Sequence, residues 1–199
     1  MTNIGPKTNI AVYTGPGAEL AEDVVIVLQN SIPFRLINAD DVRNGILKKF
    51  KLLIMPGGIT VNYIPYLKQK GCEAIKKFLN DQGGKYLGIC AGAYIANSAE
   101  LQICKSRMNR KSGIFNCEIQ VTNLAHPIFK GLNNSIITVY YQNGPHIQPY
   151  KDEKSLALYR DGSSSVLETS SALIFSWHPE KLPHTIPILF KSIYYLAQL

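Results

Sequence analysis

The sequence predicts an α/β fold built on a mainly parallel sheet. Three observations carry that expectation. The first half alternates short runs of β-formers with helical stretches, most of those runs stop at Gly or Pro, and the units have the size of right-handed β-α-β crossovers. Beyond about residue 105 the texture turns to β-like runs separated by turns, so the sheet is expected to gain further strands before a closing helix.

The elements follow in order. Thr8–Tyr13 is an apolar, β-rich run ended by Gly15-Pro16-Gly17, and Ala18–Asn30 places Leu20, Val24, Val27 and Leu28 on one helical stripe. Pro33–Ile37 reads as a strand. Asp40–Lys49 reads as a helix, with acids in its first turn and lysines in its last, as the helix dipole favours. Lys51–Met55 is a strand stopped by Pro56-Gly57-Gly58, and Cys72–Leu79 is the core of a third helix. Lys85–Ile89 is a strand, and Ala91–Ser98 a small-residue helix directly after it. Gly113–Val121, Ile136–Tyr141, Ser155–Arg160, Val166–Thr169 and Ala172–Ser176 are the later β-like runs, and Thr185–Leu199 the closing helix. In an open sheet of this kind ligands sit beyond the carboxyl ends of the strands. That directs attention to the loops at 14–17, 56–58, 88–92 and 176–180.

Composition narrows the class. With 199 residues, 46% hydrophobic and 18% charged, the chain is expected to form one domain over residues 1–199, burying about 70% of its unfolded surface. No linker, repeat or low-complexity tract interrupts it. Met1–Lys7 lacks the apolar stretch of a secretory leader, and the longest apolar runs, such as Ala172–Trp177, are too short to span a bilayer. A soluble cytoplasmic protein without a membrane partner is expected. The four cysteines form no CxxC pair, which argues against a zinc ribbon or thioredoxin motif. No metal and no cofactor is expected. Gly15-Pro16-Gly17 lacks the third glycine of a dinucleotide loop, because position 20 is Leu, and Pro16 has no N–H to offer a phosphate. Net charge is +7, and the densest basic run is Lys105–Lys111. That run reads as a solvated loop or as a patch facing a phosphate or carboxylate; no nucleic-acid module accompanies it, so nucleic acid is not an expected partner.

Gly88-Ile89-Cys90-Ala91-Gly92 has the form G-x-nucleophile-x-G between a strand and a helix. A nucleophile on so sharp a turn occupies strained backbone, and glycine at both flanks removes the side chains that would collide. The turn sets the sulfur at a helix N-terminus, where free N–H groups favour thiolate. Only Cys90, of the four, has this setting. Pro56-Gly57-Gly58, one β-α unit earlier, can turn the Gly58 N–H toward the nucleophile, and with the Ala91 N–H it would form a two-donor oxyanion hole.

Of the four histidines, His178 alone directly follows an apolar strand. Pro179 biases it toward extended backbone, in which residues two apart share a side. His178 and Glu180 can therefore point together, the carboxylate orienting the imidazole and the other ring nitrogen facing Cys90. Gly57, Tyr94, Asn143 and Trp177 are expected around the pocket. Tyr140 and Tyr141 fit either the pocket mouth or half-buried packing.

Taken in order, Pro56-Gly57-Gly58, Gly88–Gly92 and Trp177-His178-Pro179-Glu180 resemble the class I glutamine-amidotransferase-like superfamily. Tyr13–Gly17, Gly88–Tyr94 and Tyr140–Pro145 are similar to the N-terminal domain of eukaryotic-type biotin protein ligases. The resemblance implies a flavodoxin-like three-layer sandwich with Cys90, His178 and Glu180 as a triad. Two departures limit what it implies. Working glutaminases of that superfamily carry Gln four residues after the nucleophile, where this chain has Tyr94. No Gly/Arg-rich biotinyl-adenylate loop occurs, so biotin transfer by this chain alone is not expected. The expected activity is cysteine-dependent amide hydrolysis or acyl transfer on a small amide or carboxylate, with a partner enzyme possible. The alternative is a non-catalytic binding or regulatory module that keeps the scaffold.

Overall fold

The structure is a computed structural model that describes residues 8–198. The segment Met1–Lys7, on which the leader expectation rests, and Leu199 at the end of the expected closing helix lie outside the described residues.

The first half runs β1 (Ile10–Tyr13), α1 (Ala21–Leu28), β2 (Arg35–Ile37), α2 (Ala39–Arg43), β3 (Leu52–Met55), α3 (Thr60–Asp81), β4 (Lys85–Ile89) and α4 (Ala91–Ala96). The second half runs β5 (Arg107–Arg110), β6 (Ile114–Val121), β7 (Ile136–Gln142), β8 (Pro145–Gln148), β9 (Lys154–Tyr159), β10 (Ser164–Glu168), β11 (Ala172–Phe175) and α5 (Ile186–Ala197). All strands join one sheet, whose main path is β2-β1-β3-β4-β11-β10-β9-β6-β7. From β2 to β11 every pair is parallel. From β11 outward every pair is antiparallel, and β5 and β8 form a small ladder hung on β10.

Apart from β2 at the edge, the parallel strands are buried on both faces, and alternate residues divide between two cores. Ile10, Val12, Leu52 and Ile54 pack with Val24 and Leu28 of α1 and with Leu189 and Ile193 of α5. Ala11, Tyr13, Leu53 and Met55 pack with Val42 of α2, Leu67 and Phe78 of α3 and Ala93 of α4. This is a helix–sheet–helix sandwich, and it explains why these strands read as unbroken apolar runs rather than alternating ones.

Four elements differ from the sequence expectation, β5 and β8 among them. The helix expected over 40–49 ends at Arg43, because Gly45 takes a left-handed φ of 78° and the chain re-enters as a 3-10 turn, Ile46–Lys49; a glycine in that conformation is a common helix stop. Asn38 caps the short helix reciprocally with Asp41. The third helix begins at Thr60, well before Cys72, and is interrupted at Lys68 (φ 57°, ψ 175°), three residues past Pro65. Finally, the basic run is a strand: Arg107–Arg110 pairs with Pro145–Gln148. At the sheet margin it needs no apolar face, so its composition gives no strand signal.

Candidate active site

Cys90 stands between β4 and α4 with φ 53° and ψ −103°. A non-glycine residue held there costs about 1–3 kcal/mol, which the surroundings must impose. They do so from β11 and from the loop after β3: Cys90 N–H donates to Phe175 O at 2.9 Å and Gly92 N–H to Pro56 O at 3.1 Å. The flanking glycines are needed for space. A Cβ at Gly92 would overlap Met55 O, and one at Gly88 would lie 2.7 Å from Tyr86 Cε1 and 2.8 Å from Gly92 O.

His178 follows β11 and is pinned by its N–H to Tyr140 O at 3.0 Å. Its Nδ1 lies 2.7 Å from Glu180 Oε1, and both side chains are wholly buried. The Tyr140 ring meets the imidazole edge-on at 6.0 Å between centroids. Among the described residues, His178 Nε2 and Glu180 Oε2 have no hydrogen-bond partner. Burial alone would lower the imidazole pKa. The Glu180 charge, the bond to it and the neighbouring Cys90 outweigh burial and raise it. Gly57 is what lets the imidazole and the cysteine approach: a Cβ there would lie 2.6 Å from His178 Cε1 and 3.4 Å from Cys90 Cβ.

The loop after β3 is fixed by a residue that sequence reasoning did not single out. Glu19 Oε2 accepts from Ile59 N–H at 2.7 Å, while Oε1 accepts from Asn62 Nδ2 at 3.1 Å and Gly17 N–H at 3.2 Å. Burial pushes the Glu19 carboxyl pKa up, but these donors outweigh it and hold the pKa below the usual range. Gly58 has φ +147°, and a side chain on it would overlap Gly17 O. Among the described residues, no backbone carbonyl takes the Gly58 or Ala91 N–H.

A cavity of about 230 Å³ opens over the sulfur, lined by Gly58, Cys90, Tyr94, Arg110, Lys111 and Asn143. The Cys90 thiol donates to Gln142 O at 3.2 Å. Tyr94 Oη donates to Asn143 O at 3.2 Å, joining α4 to the β7–β8 turn across the cavity. Burial, with the Cys90 charge adding to it and Arg110 opposing, pushes the Tyr94 phenol to about 12. Asn143, at φ 52°, exchanges two bonds with Gly113, through its N–H to Gly113 O (2.9 Å) and its Oδ1 from Gly113 N–H (2.7 Å).

Tyr94 and Asn143 line the cavity, whereas Gly57 does not and lies between Cys90 and His178. Trp177 does not reach it. The indole is fully buried in the core, edge-on to Phe175, because it leaves β11 on the side opposite His178. Tyr141 is likewise core, and Tyr140 packs on His178. Of the aromatics expected around the pocket, Tyr94 lines the cavity. The basic run supplies Arg110 and Lys111 instead, carried in on β5 and the turn after it.

Residues 8–112, just over half of the 199, match the family described as Biotin-protein ligase, N terminal. The chain belongs to the biotin-protein ligase N-terminal family. The matched stretch contains the 56–58 loop, the Cys90 elbow and the Arg110–Lys111 pair, and it stops before His178 and Glu180. The phosphoribosylformylglycinamidine synthase subunit PurQ of Leptospira interrogans is 35% identical over 99 residues, covering 46% of this chain and 43% of the subunit. The match thus spans less than half the length of that relative. Two solved structures share the fold. A chain of PurLQS from Thermotoga maritima superposes with a TM-score of 0.71 at 18% identity, covering 96% of this chain and 100% of that one. A glutamine amidotransferase superposes at 0.74 and 17%, with the same coverage. The family member described here therefore has the class I glutamine-amidotransferase-like, flavodoxin-like fold.

Among the described residues, no cluster of three or more His, Cys, Asp or Glu could hold a metal ion, and no helix is long and apolar enough to cross a membrane.

Proposed function

We propose that this member of the family is a cysteine-dependent amide hydrolase or acyl-transfer enzyme acting on a small amide that carries a carboxylate. The observation that carries the reading is the meeting of Cys90 with the buried His178–Glu180 pair across Gly57, at the foot of a cavity whose rim bears Arg110 and Lys111. In this reading the thiol proton passes to His178 Nε2, whose raised proton affinity holds it. The sulfur attacks the amide carbon, and the oxyanion is taken by the Gly58 and Ala91 N–H groups. His178 returns the proton to the departing amine, leaving a thioester that water or another acceptor opens. Arg110 holds the carboxylate of the substrate, Lys111 being paired with Asp161 at 3.7 Å. The PurQ relative is named as a synthase subunit, which favours a partner enzyme that receives the released amine. No cofactor enters the scheme.

One observation favours the alternative of a binding module. The sulfur is engaged by Gln142 O at 3.2 Å, a bond only a thiol can donate, so attack requires the sulfur to swing from that carbonyl toward His178.

The test is ammonia release from a panel of small carboxylate-bearing amides that includes free glutamine. Glutamine is expected at background, because Tyr94 occupies the position where the resemblance places a substrate-contacting Gln. A panel substrate is expected to turn over and to lose at least about 10³-fold in Cys90→Ser. Turnover that survives Cys90→Ser would refute the proposal.

A further inference from the structure

A second cavity, of about 400 Å³, lies on the antiparallel side of the sheet, within the range of about 300–1,000 Å³ usual for small-molecule sites. Its walls are aromatic. Phe115 and Tyr141 sit 5.0 Å apart, Tyr141 meets Tyr159 at 89°, and the His146 imidazole stacks on Tyr159 at 4.3 Å and 9°. Cys117 completes the apolar lining. At the rim the charges cancel in pairs, Lys111 with Asp161 at 3.7 Å and Arg160 with Glu118 at 3.8 Å.

Besides the charged residues of the rim, His146 lines this cavity, and the network behind it fixes its character. His146 is 94% buried by its 6% exposure. Its Nδ1 lies 2.7 Å from Asp161 Oδ2 and 2.8 Å from Ser163 Oγ. Ser163 also gives Asp161 Oδ1 both its hydroxyl at 2.5 Å and its N–H at 3.0 Å. Burial would raise the Asp161 pKa, but the Ser163 and His146 bonds outweigh it and hold the pKa near 2, so this group only accepts. Burial also keeps His146 below the usual imidazole range, against the pull of Asp161. The single imidazole proton therefore sits on Nδ1, directed at Asp161, and Nε2 presents a lone pair. Among the described residues nothing donates to that lone pair. The arrangement is not a second hydrolytic triad, because Ser163 and Asp161 share the same ring nitrogen instead of taking opposite ones.

We infer that this cavity is a second ligand site, for an uncharged planar aromatic molecule bearing one N–H or O–H donor, seated among Phe115, Tyr141 and Tyr159 with its donor on His146 Nε2. The shape follows from the ring walls, the neutrality from the paired rim, and the donor from the lone pair. Lys111 lines this cavity and the one over Cys90, so an occupant would touch a residue of the candidate active site without entering it.

Indole and benzothiophene separate these requirements, since they share a shape and only indole has a donor. In a titration followed by amide chemical shifts, indole should move the signals of Phe115, Cys117 and Tyr159, and benzothiophene should bind about three- to tenfold more weakly, the size of one neutral hydrogen bond. His146→Phe keeps the ring stack and should remove that difference. Should that variant fail to fold, Cys117→Phe fills the cavity from its half-buried wall without touching the Asp161–His146–Ser163 network, and it should abolish indole binding. Cys90→Ala should leave indole binding unchanged. Equal affinity for the two probes, shifts centred on Cys90, no shifts, or binding that survives Cys117→Phe would each overturn the inference.

Discussion

A methyl group at position 57 would lie 2.6 Å from His178 Cε1, and the imidazole cannot yield easily, because Glu180 holds its Nδ1 at 2.7 Å. Gly57→Ala is therefore expected to cost about 1–3 kcal/mol through overpacking. It should also slow Cys90 chemistry by about 10²-fold, the effect of an ångström-scale misplacement. Urea unfolding and turnover check the two parts, and unchanged turnover would show that His178 and Cys90 do not act together. At this scale the sequence was informative wherever chemistry follows from local spacing. The i, i+2 relation of His178 and Glu180 and the glycine flanks of Cys90 were readable because a few dihedrals decide them. Trp177 was misplaced for a tertiary reason: whether a residue beside a strand end faces cavity or core depends on what α5 and the neighbouring strands cover. The contact from Cys90 to Gln142 O had no signal at all, since every residue carries a carbonyl.

The loop after β3 owes its shape to another element. Glu19, just before α1, ties down Ile59 N–H and the α3 residue Asn62, which fixes the backbone that follows Gly58, the residue whose N–H the proposed function assigns to the oxyanion. Glu19→Ala should leave alkylation of Cys90 by iodoacetamide nearly unchanged, because that displacement forms no oxyanion. Amide turnover should fall by about 10²–10³-fold, as for loss of one oxyanion donor. Equal losses in both assays would mean that Glu19 supports the elbow and not the loop. Element existence was mostly legible from apolar runs and their glycine or proline stops. What escaped were β8 and its partner β5, whose Arg107-Met108-Asn109-Arg110 carries no apolar pattern because it pairs only with β8 at the margin. That omission concealed the route by which Arg110 and Lys111 reach the cavity. The division of the expected 40–49 helix at Gly45 has a local sequence signal, since a glycine in left-handed backbone ends a helix whatever charges flank it.

Across the whole molecule, the two-faced parallel sheet was legible because strands buried on both sides are apolar throughout, and the strand carboxyl ends then gather the 56–58, 88–92 and 176–180 loops. The order of the outer antiparallel strands was not, since register between distant segments leaves no local trace. The buried His178–Glu180 pair also couples stability to pH. His178 has a raised folded pKa, so its contribution is full below the ordinary imidazole value of about 6.5 and is lost as pH rises through the folded value. Glu180→Gln should destabilise the protein by about 1–3 kcal/mol near pH 6, with the gap to wild type narrowing as pH rises. A gap that stays constant with pH would contradict the pairing. The central claim, that Cys90 is a nucleophile served by His178, is tested most directly by timed iodoacetamide labelling at neutral pH, mapped by mass spectrometry. Cys117 is the internal control, being more exposed than Cys90 yet with its thiol pKa pushed up by burial, partly offset by Lys111; Cys72 and Cys104 are raised by burial too. Cys90 should be modified first, and His178→Gln should slow it by at least about tenfold while leaving Cys117 unchanged. Cys117 reacting first, or a Cys90 rate indifferent to His178→Gln, would contradict the account.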